Sequence, residues 1–186
     1  AMESRRLRAL GAHLRGSGRD APNIGYLDDL NMKHKVLILC TGNSCRSQMA
    51  EAIVNARLGQ TWEAVSAGTK PAGYTHPLAI QALAEIGITH AGRSKHADEF
   101  RGVAFERVIT VCDSAADDCP VWLGAGKRVH IGFDDPAKAQ GTDEQVMDVF
   151  RRVRDEIAAQ IPAYLASITP SSGIPGSAGD AACQIS

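Results

Sequence analysis

Val36-Leu37-Ile38-Leu39-Cys40-Thr41-Gly42-Asn43-Ser44-Cys45-Arg46-Ser47 is the stretch on which the fold turns. Val36 to Cys40 is an unbroken apolar run, as expected of a strand buried on both faces. Gly42 and Asn43 break it. From Ser47, apolar residues recur at 49, 50, 53, 54 and 58, a helical period that stops at Gly59. The segment therefore reads strand, tight loop, helix. A turn of that kind aims successive backbone N–H groups into a concave nest at a helix N-terminus, where an anion is favoured.

The same alternation continues along the chain. Trp62 to Ala67 reads as a second strand closed by Gly68, and Pro77 to Ile86 as a helix with proline in its first turn and Gly87 at its end. Arg107 to Cys112 is a third strand rich in β-branched residues, and Arg128 to Gly132 a short fourth. A long final helix is expected from Thr142 to Ala166, with Thr142 as N-cap and Asp143 and Glu144 in the first turn. The predicted fold class is α/β: a three-layer, open, parallel four-stranded sheet with helices on both faces. In such sheets the site lies beyond the carboxyl ends of the strands. Cys40, Cys112 and the pair Asp134-Asp135 all stand at such ends, so they are expected to converge.

The domain is expected over residues 34–168. Residues 1–33 read as a loosely ordered extension, in which Leu7, Leu10 and Leu14 form a short stripe before Gly16-Ser17-Gly18. Residues 169–186 hold nine Gly, Pro or Ser in 18 positions and read as a disordered tail. Aromatics are only 5% of the 186 residues, so the core has to be built from Ala, Val, Ile and Leu. A net charge of −1 offers no field for nucleic acid or an anionic membrane, and no apolar run is long enough to span a bilayer. No apolar stretch follows the basic start, so no secretory signal is expected. Five cysteines in a chain of this size point to a reducing cytoplasm in which they act as thiols. A monomer is expected.

Cys40 sits at the base of the loop. The helix N-terminus and Arg46 both favour its thiolate, and Ser47 is placed to hydrogen-bond the same sulfur. Arg46 has the planar fork that clamps two oxygens of a tetrahedral oxyanion. Thr41, Gly42, Asn43, Ser44, Cys45 and Ser47 are the remaining candidate anion-holding positions. Asn43 is suited to a left-handed turn, and Cys45 is read as packing rather than chemistry. The order C-x5-R-S is neither a dinucleotide fingerprint nor a lysine-bearing phosphate loop, so NAD and ATP are not supported. Cys112 and Cys119 flank a small, acidic segment and suit thiol–disulfide exchange. They lack zinc spacing, the six histidines are scattered, and no metal is expected. Asp135, before Pro136, is the candidate general acid; an ordinary turn or helix cap is the alternative reading.

These residues carry a resemblance. Cys40 to Glu51, Ser66-Ala67-Gly68, Val111-Cys112-Asp113 with Cys119-Pro120, Gly132 to Pro136, and Phe150 to Ile157 together resemble the low-molecular-weight tyrosine phosphatase superfamily. More narrowly, they resemble its thioredoxin-coupled arsenate reductases. The match covers roughly residues 35–162, in order. It implies that Cys40 attacks arsenate, that Asp135 protonates the leaving hydroxide, and that a disulfide then moves from Cys40–Cys112 to Cys112–Cys119. Thioredoxin would be the external reductant, with no bound cofactor, and phosphate or sulfate would be analogues in the loop. Some reductases of this family carry a potassium ion near the loop. Asn43, Glu51 and Ser66 match residues of that site, but Ser94-Lys95-His96 has no acid where the family's aspartate stands.

Two other functions compete. A tyrosine phosphatase would need only Cys40, Arg46 and Asp135. It is disfavoured by Gln48 and Ala137, where phosphatases of the superfamily usually carry proline and tyrosine, and by the two further cysteines. A non-catalytic oxyanion sensor would leave the full set of catalytic residue types unexplained.

Overall fold

The computed structural model describes residues 33–112, 122 and 124–168. The tail segments, the stretch 113–121 with Cys119, and Cys183 lie outside these residues. Four strands form one parallel sheet: β1 (His34–Cys40), β2 (Trp62–Gly68), β3 (Arg107–Thr110) and β4 (Lys127–His130), in the order β2-β1-β3-β4. The helices are α1 (Arg46–Leu58), α2 (Pro77–Glu85) and α3 (Asp143–Ile168), with short 3-10 turns at Ala97–Phe100 and Pro136–Lys138.

Strand order explains where the site must lie. The chain leaves β1 in one direction to make β2, then crosses back to make β3 on the other side. The carboxyl end of β1 is thus the switch point of the sheet, where the crossovers part and leave a crevice.

The pleat of β1 divides the core. Val36, Ile38 and Cys40 face the cluster built by α1, α2 and α3, with Met49, Ile53, Leu83, Phe150 and Ile157 fully buried there. Leu37 and Leu39 face the opposite way, onto Ala67, Phe105, Val108 and Trp122, with Phe100 of the first 3-10 turn packed against them. Burial of each such large side chain contributes about 1.5–3 kcal/mol.

The largest boundary differences from the sequence reading lie at three places. Strand β3 stops at Thr110, opposite His130, the last residue of β4, while β1 continues one residue further to Cys40. Val111 N–H still bonds Leu39 O at 2.9 Å, and Cys112 lies past the ladder. Strand β4 spans Lys127–His130, ending before Gly132. Helix α3 runs on through Pro162 to Ile168, where Ile161 and Leu165 are buried. Its start is a reciprocal cap: Thr142 Oγ1 accepts from Gln145 N at 3.3 Å, and Gln145 Oε1 accepts from Thr142 N at 2.9 Å.

Candidate active site

The loop between β1 and α1 is held from outside by its own carbonyls. Thr41 O accepts from Lys70 N, Gly42 O from Ala72 N and from Ser94 Oγ, Ser44 O from His76 N, and Cys45 O from Met49 N, at 2.8–3.1 Å. Asn43 O accepts from Gln48 Nε2 at 3.2 Å. With these carbonyls turned outward, the loop's N–H groups are left to the concave side. Asn43 makes the reversal by standing at φ 45°, the left-handed conformation expected of it. Gly68 permits the close approach of β2, because a Cβ there would lie 2.4 Å from Thr41 O.

Inside the cradle lies Cys40, almost fully buried. Its Sγ accepts from Asn43 N at 3.1 Å and shares a hydrogen bond with Ser47 Oγ at 2.9 Å. The direction of the second bond follows from its neighbours. Asn43 Nδ2 donates to Ser47 Oγ at 2.9 Å and to Ser66 Oγ at 2.8 Å, while Asn43 Oδ1 accepts from Lys95 N at 2.7 Å and Gln48 Nε2 at 3.0 Å. Ser47 Oγ is thereby an acceptor toward Asn43, which leaves its proton for Cys40. Ser66 in turn donates to Glu51 Oε2, which also accepts from Lys95 Nζ at 2.9 Å. Gln48 is fixed by His90 Nε2, 2.7 Å from its Oε1.

A cavity of about 180 Å³ opens over this loop. Cys40, Gly42, Ser44, Cys45, Arg46 and Asp135 line its base, and Ala72, Tyr74, His76 and Ala137 its rim. It suits an ion of the size of a tetrahedral oxyanion. The Arg46 guanidinium bridges to the acid loop: Nη1 donates to Phe133 O at 3.0 Å and Nη2 lies 3.2 Å from Asp135 Oδ2. Asp135 Oδ1 also accepts from Ala137 N at 3.3 Å, so the capping role weighed for this residue is present beside its place in the cavity. Asp134 points away, to Arg152 Nη2 at 2.9 Å.

The chain matches the family described as low molecular weight phosphotyrosine protein phosphatase over residues 35–172. An arsenate reductase of Halalkalibacterium halodurans is 47% identical over 133 residues, covering 71% of this chain and 95% of that protein. The chain belongs to the low molecular weight phosphotyrosine protein phosphatase family. Among solved structures, an arsenate reductase in a phosphate-binding state superposes with a TM-score of 0.62 at 29% identity, covering 74% of this chain and all of the other. A thioredoxin-dependent arsenate reductase of Corynebacterium glutamicum superposes at 0.51 and 25% identity, over 73% and 63% of the two chains.

Within this family fold, the sequence-derived residues separate. Cys40, Gly42, Ser44, Cys45, Arg46 and Asp135 line one crevice, whereas Thr41, Asn43 and Ser47 do not line it, Asn43 and Ser47 being fully buried behind Cys40. Cys112 is buried just past β3, in the same core cluster as Cys40, and does not line the cavity. Cys119 lies outside the described residues. Cys45 is packed at the helix entry, where burial first, and then the charge of Asp135, push its thiol up to about 12. At neutral pH it is therefore a neutral thiol beside the cavity.

Sequence reasoning missed the rim. Tyr74 is more than half exposed at the mouth. His76 stacks on Phe150 with ring centroids 4.8 Å apart and caps α2 by accepting from Leu78 N at 3.2 Å. Burial holds His76 below its ordinary value of 6.5, with Asp135 opposing. His76 stands directly before Pro77, the signal that could have marked it as an N-cap. Among the described residues no cluster of His, Cys, Asp or Glu is arranged to hold a metal ion, and no helix is long and apolar enough to cross a membrane.

Proposed function

We propose that this chain is an arsenate reductase working by a three-cysteine relay regenerated by thioredoxin. The observation that carries the reading is an oxyanion cradle built round a hydrogen-bonded cysteine, Cys40, with a second buried thiol, Cys112, at the end of the adjacent strand. Relatives bearing the name arsenate reductase cover nearly their whole length with this chain.

Arsenate enters the crevice and takes the loop N–H groups and the Arg46 fork. The Cys40 thiolate attacks arsenic, forming an S–As bond as one As–O bond breaks. Asp135 gives its proton to the departing oxygen, which leaves as water. The Cys112 thiolate then attacks Cys40 Sγ. The electron pair of the S–As bond passes to arsenic, reducing As(V) to As(III), and arsenite leaves a Cys40–Cys112 disulfide. Cys119 attacks Cys112, freeing Cys40 as a thiolate, and a thioredoxin dithiol reduces the Cys112–Cys119 disulfide. Cys112 lies outside the cavity lining, so its attack requires a rearrangement after β3. The protein acts as a monomer in the cytoplasm.

The test is arsenate-dependent NADPH oxidation with thioredoxin and thioredoxin reductase supplied. Wild type is expected to turn over repeatedly, and Cys112→Ser to show no sustained turnover. Aryl phosphate hydrolysis through Cys40 without arsenate turnover would replace this reading with a phosphatase.

A further inference from the structure

The residues that match the potassium site of some family members are, in this chain, already hydrogen-bonded to one another, to Gln48 and to Lys95. The oxygens a cation would use are Asn43 Oδ1, Glu51 Oε2 and Ser66 Oγ, and hydrogen-bond donors already occupy all three. Asn43 Oδ1 takes Lys95 N and Gln48 Nε2, Glu51 Oε2 takes Lys95 Nζ and the Ser66 hydroxyl, and Ser66 Oγ takes Asn43 Nδ2. The residues do not fit a bound metal ion. They fit the ammonium that is there.

We propose that the Lys95 ammonium takes the place of a monovalent cation, so that this chain orders its anion loop without one. Three attachments put it there. Lys95 N donates to Asn43 at 2.7 Å, Lys95 O accepts from Gly68 N at 2.9 Å, and Nζ reaches Glu51 at 2.9 Å. Both charged side chains are about nine-tenths buried, at 11% and 14% exposure. A buried carboxylate requires a counter-charge, and at this site it comes from the chain itself. An ammonium and a potassium ion are nearly equal in size, and each is a single positive charge. An added potassium ion would share one carboxylate with the ammonium and meet its repulsion.

From the ammonium, the consequence reaches the nucleophile through a chain of buried side chains. Lys95 holds Glu51, Glu51 takes the Ser66 proton, Ser66 accepts from Asn43, and Asn43 directs the Ser47 proton to Cys40. Lys95 is thus a positioning residue: it touches neither Cys40 nor the cavity.

The experiment compares wild type, Lys95→Ala and Lys95→Asp in potassium chloride and in choline chloride at equal ionic strength. It reads Tm and, by calorimetry, the affinity for inorganic phosphate. Wild type is expected to give the same Tm and the same affinity in both salts. Both variants are expected to lose Tm and about tenfold in phosphate affinity in choline, and to recover both with potassium, Lys95→Asp more fully. A potassium-specific gain in wild type overturns the proposal. So do variants that match wild type in choline, or folded variants whose losses potassium does not restore. If neither variant folds, the wild-type comparison decides. The inference needs an anion-binding loop and not the reductase reading. Failure of wild type to bind phosphate in either salt would count against the loop, while Tm would still test Lys95.

Discussion

Replacing Ser47 with alanine removes one oxygen and with it the side-chain hydroxyl that bonds Cys40 Sγ. The Asn43 N–H bond stays. A hydrogen bond to a charged partner contributes about 1.5–3 kcal/mol, which corresponds to roughly 10- to 150-fold in an equilibrium or a rate. The two halves of the relay feel this differently. In the attack on arsenate, a less stabilised sulfur is also more nucleophilic, and a Brønsted slope near 0.4–0.5 offsets nearly half of the lost stabilisation. The net loss is then roughly 3- to 15-fold. When Cys119 displaces Cys40, Cys40 is the leaving group and the loss approaches the full roughly 10- to 150-fold. Single-turnover arsenite release measures the first step and steady-state NADPH oxidation includes the second. The fold itself also weakens: Asn43 Nδ2 keeps Ser66 but loses Ser47 in a fully buried place, at about 1–3 kcal/mol. A change below about twofold in both rates, in protein that remains folded at the assay temperature, would refute the assigned direction of the Ser47 proton.

Other consequences concern the surroundings of the loop. Gly68→Ala would drive a Cβ onto Thr41 O; the expected result is a loss of about 1–3 kcal/mol in denaturant unfolding and weakened phosphate binding. Cys45→Ala should keep arsenate turnover within about threefold and cost about 1 kcal/mol of stability. Alkylation of wild type near pH 8 should leave Cys45 untouched, since its thiol lies at about 12. Burial lowers His76 and His90 below 6.5, so the unfolded chain binds more protons than the folded one as pH falls through that value. Stability is therefore full above about pH 6.5 and declines below it. A His76→Gln, His90→Gln variant should show a flatter Tm profile between about pH 7.5 and 5.5.

The fold was legible because its signals are local. Five successive apolar residues before Gly42 and the 3.6-residue spacing after Ser47 specify β1 and α1 without reference to the rest of the chain. The loop's chemistry was legible for the same reason, since a strand end and a helix start dictate where backbone N–H groups go. What remained hidden depends on elements far apart in sequence meeting in space. Tyr74 and His76 form the rim because Ala72 N and His76 N pair with loop carbonyls 30 or so residues earlier. The shortening of β3 goes with the end of β4 at His130, which no property of Val111 or Cys112 reveals. Lys95 showed only a missing acid; that its ammonium would take over the place of a cation required knowing that its backbone lies against Asn43 and Gly68.

The relay is tested most directly by a single turnover without thioredoxin. Reduced wild type is mixed with excess arsenate, quenched with acid and alkylated, then analysed for arsenite and by peptide mass mapping. The account predicts one arsenite per chain with a Cys112–Cys119 disulfide in wild type, and one arsenite with a Cys40–Cys112 disulfide in Cys119→Ser. Arsenite formed without a disulfide, or a disulfide that includes Cys45 or Cys183 in place of Cys112, would contradict it.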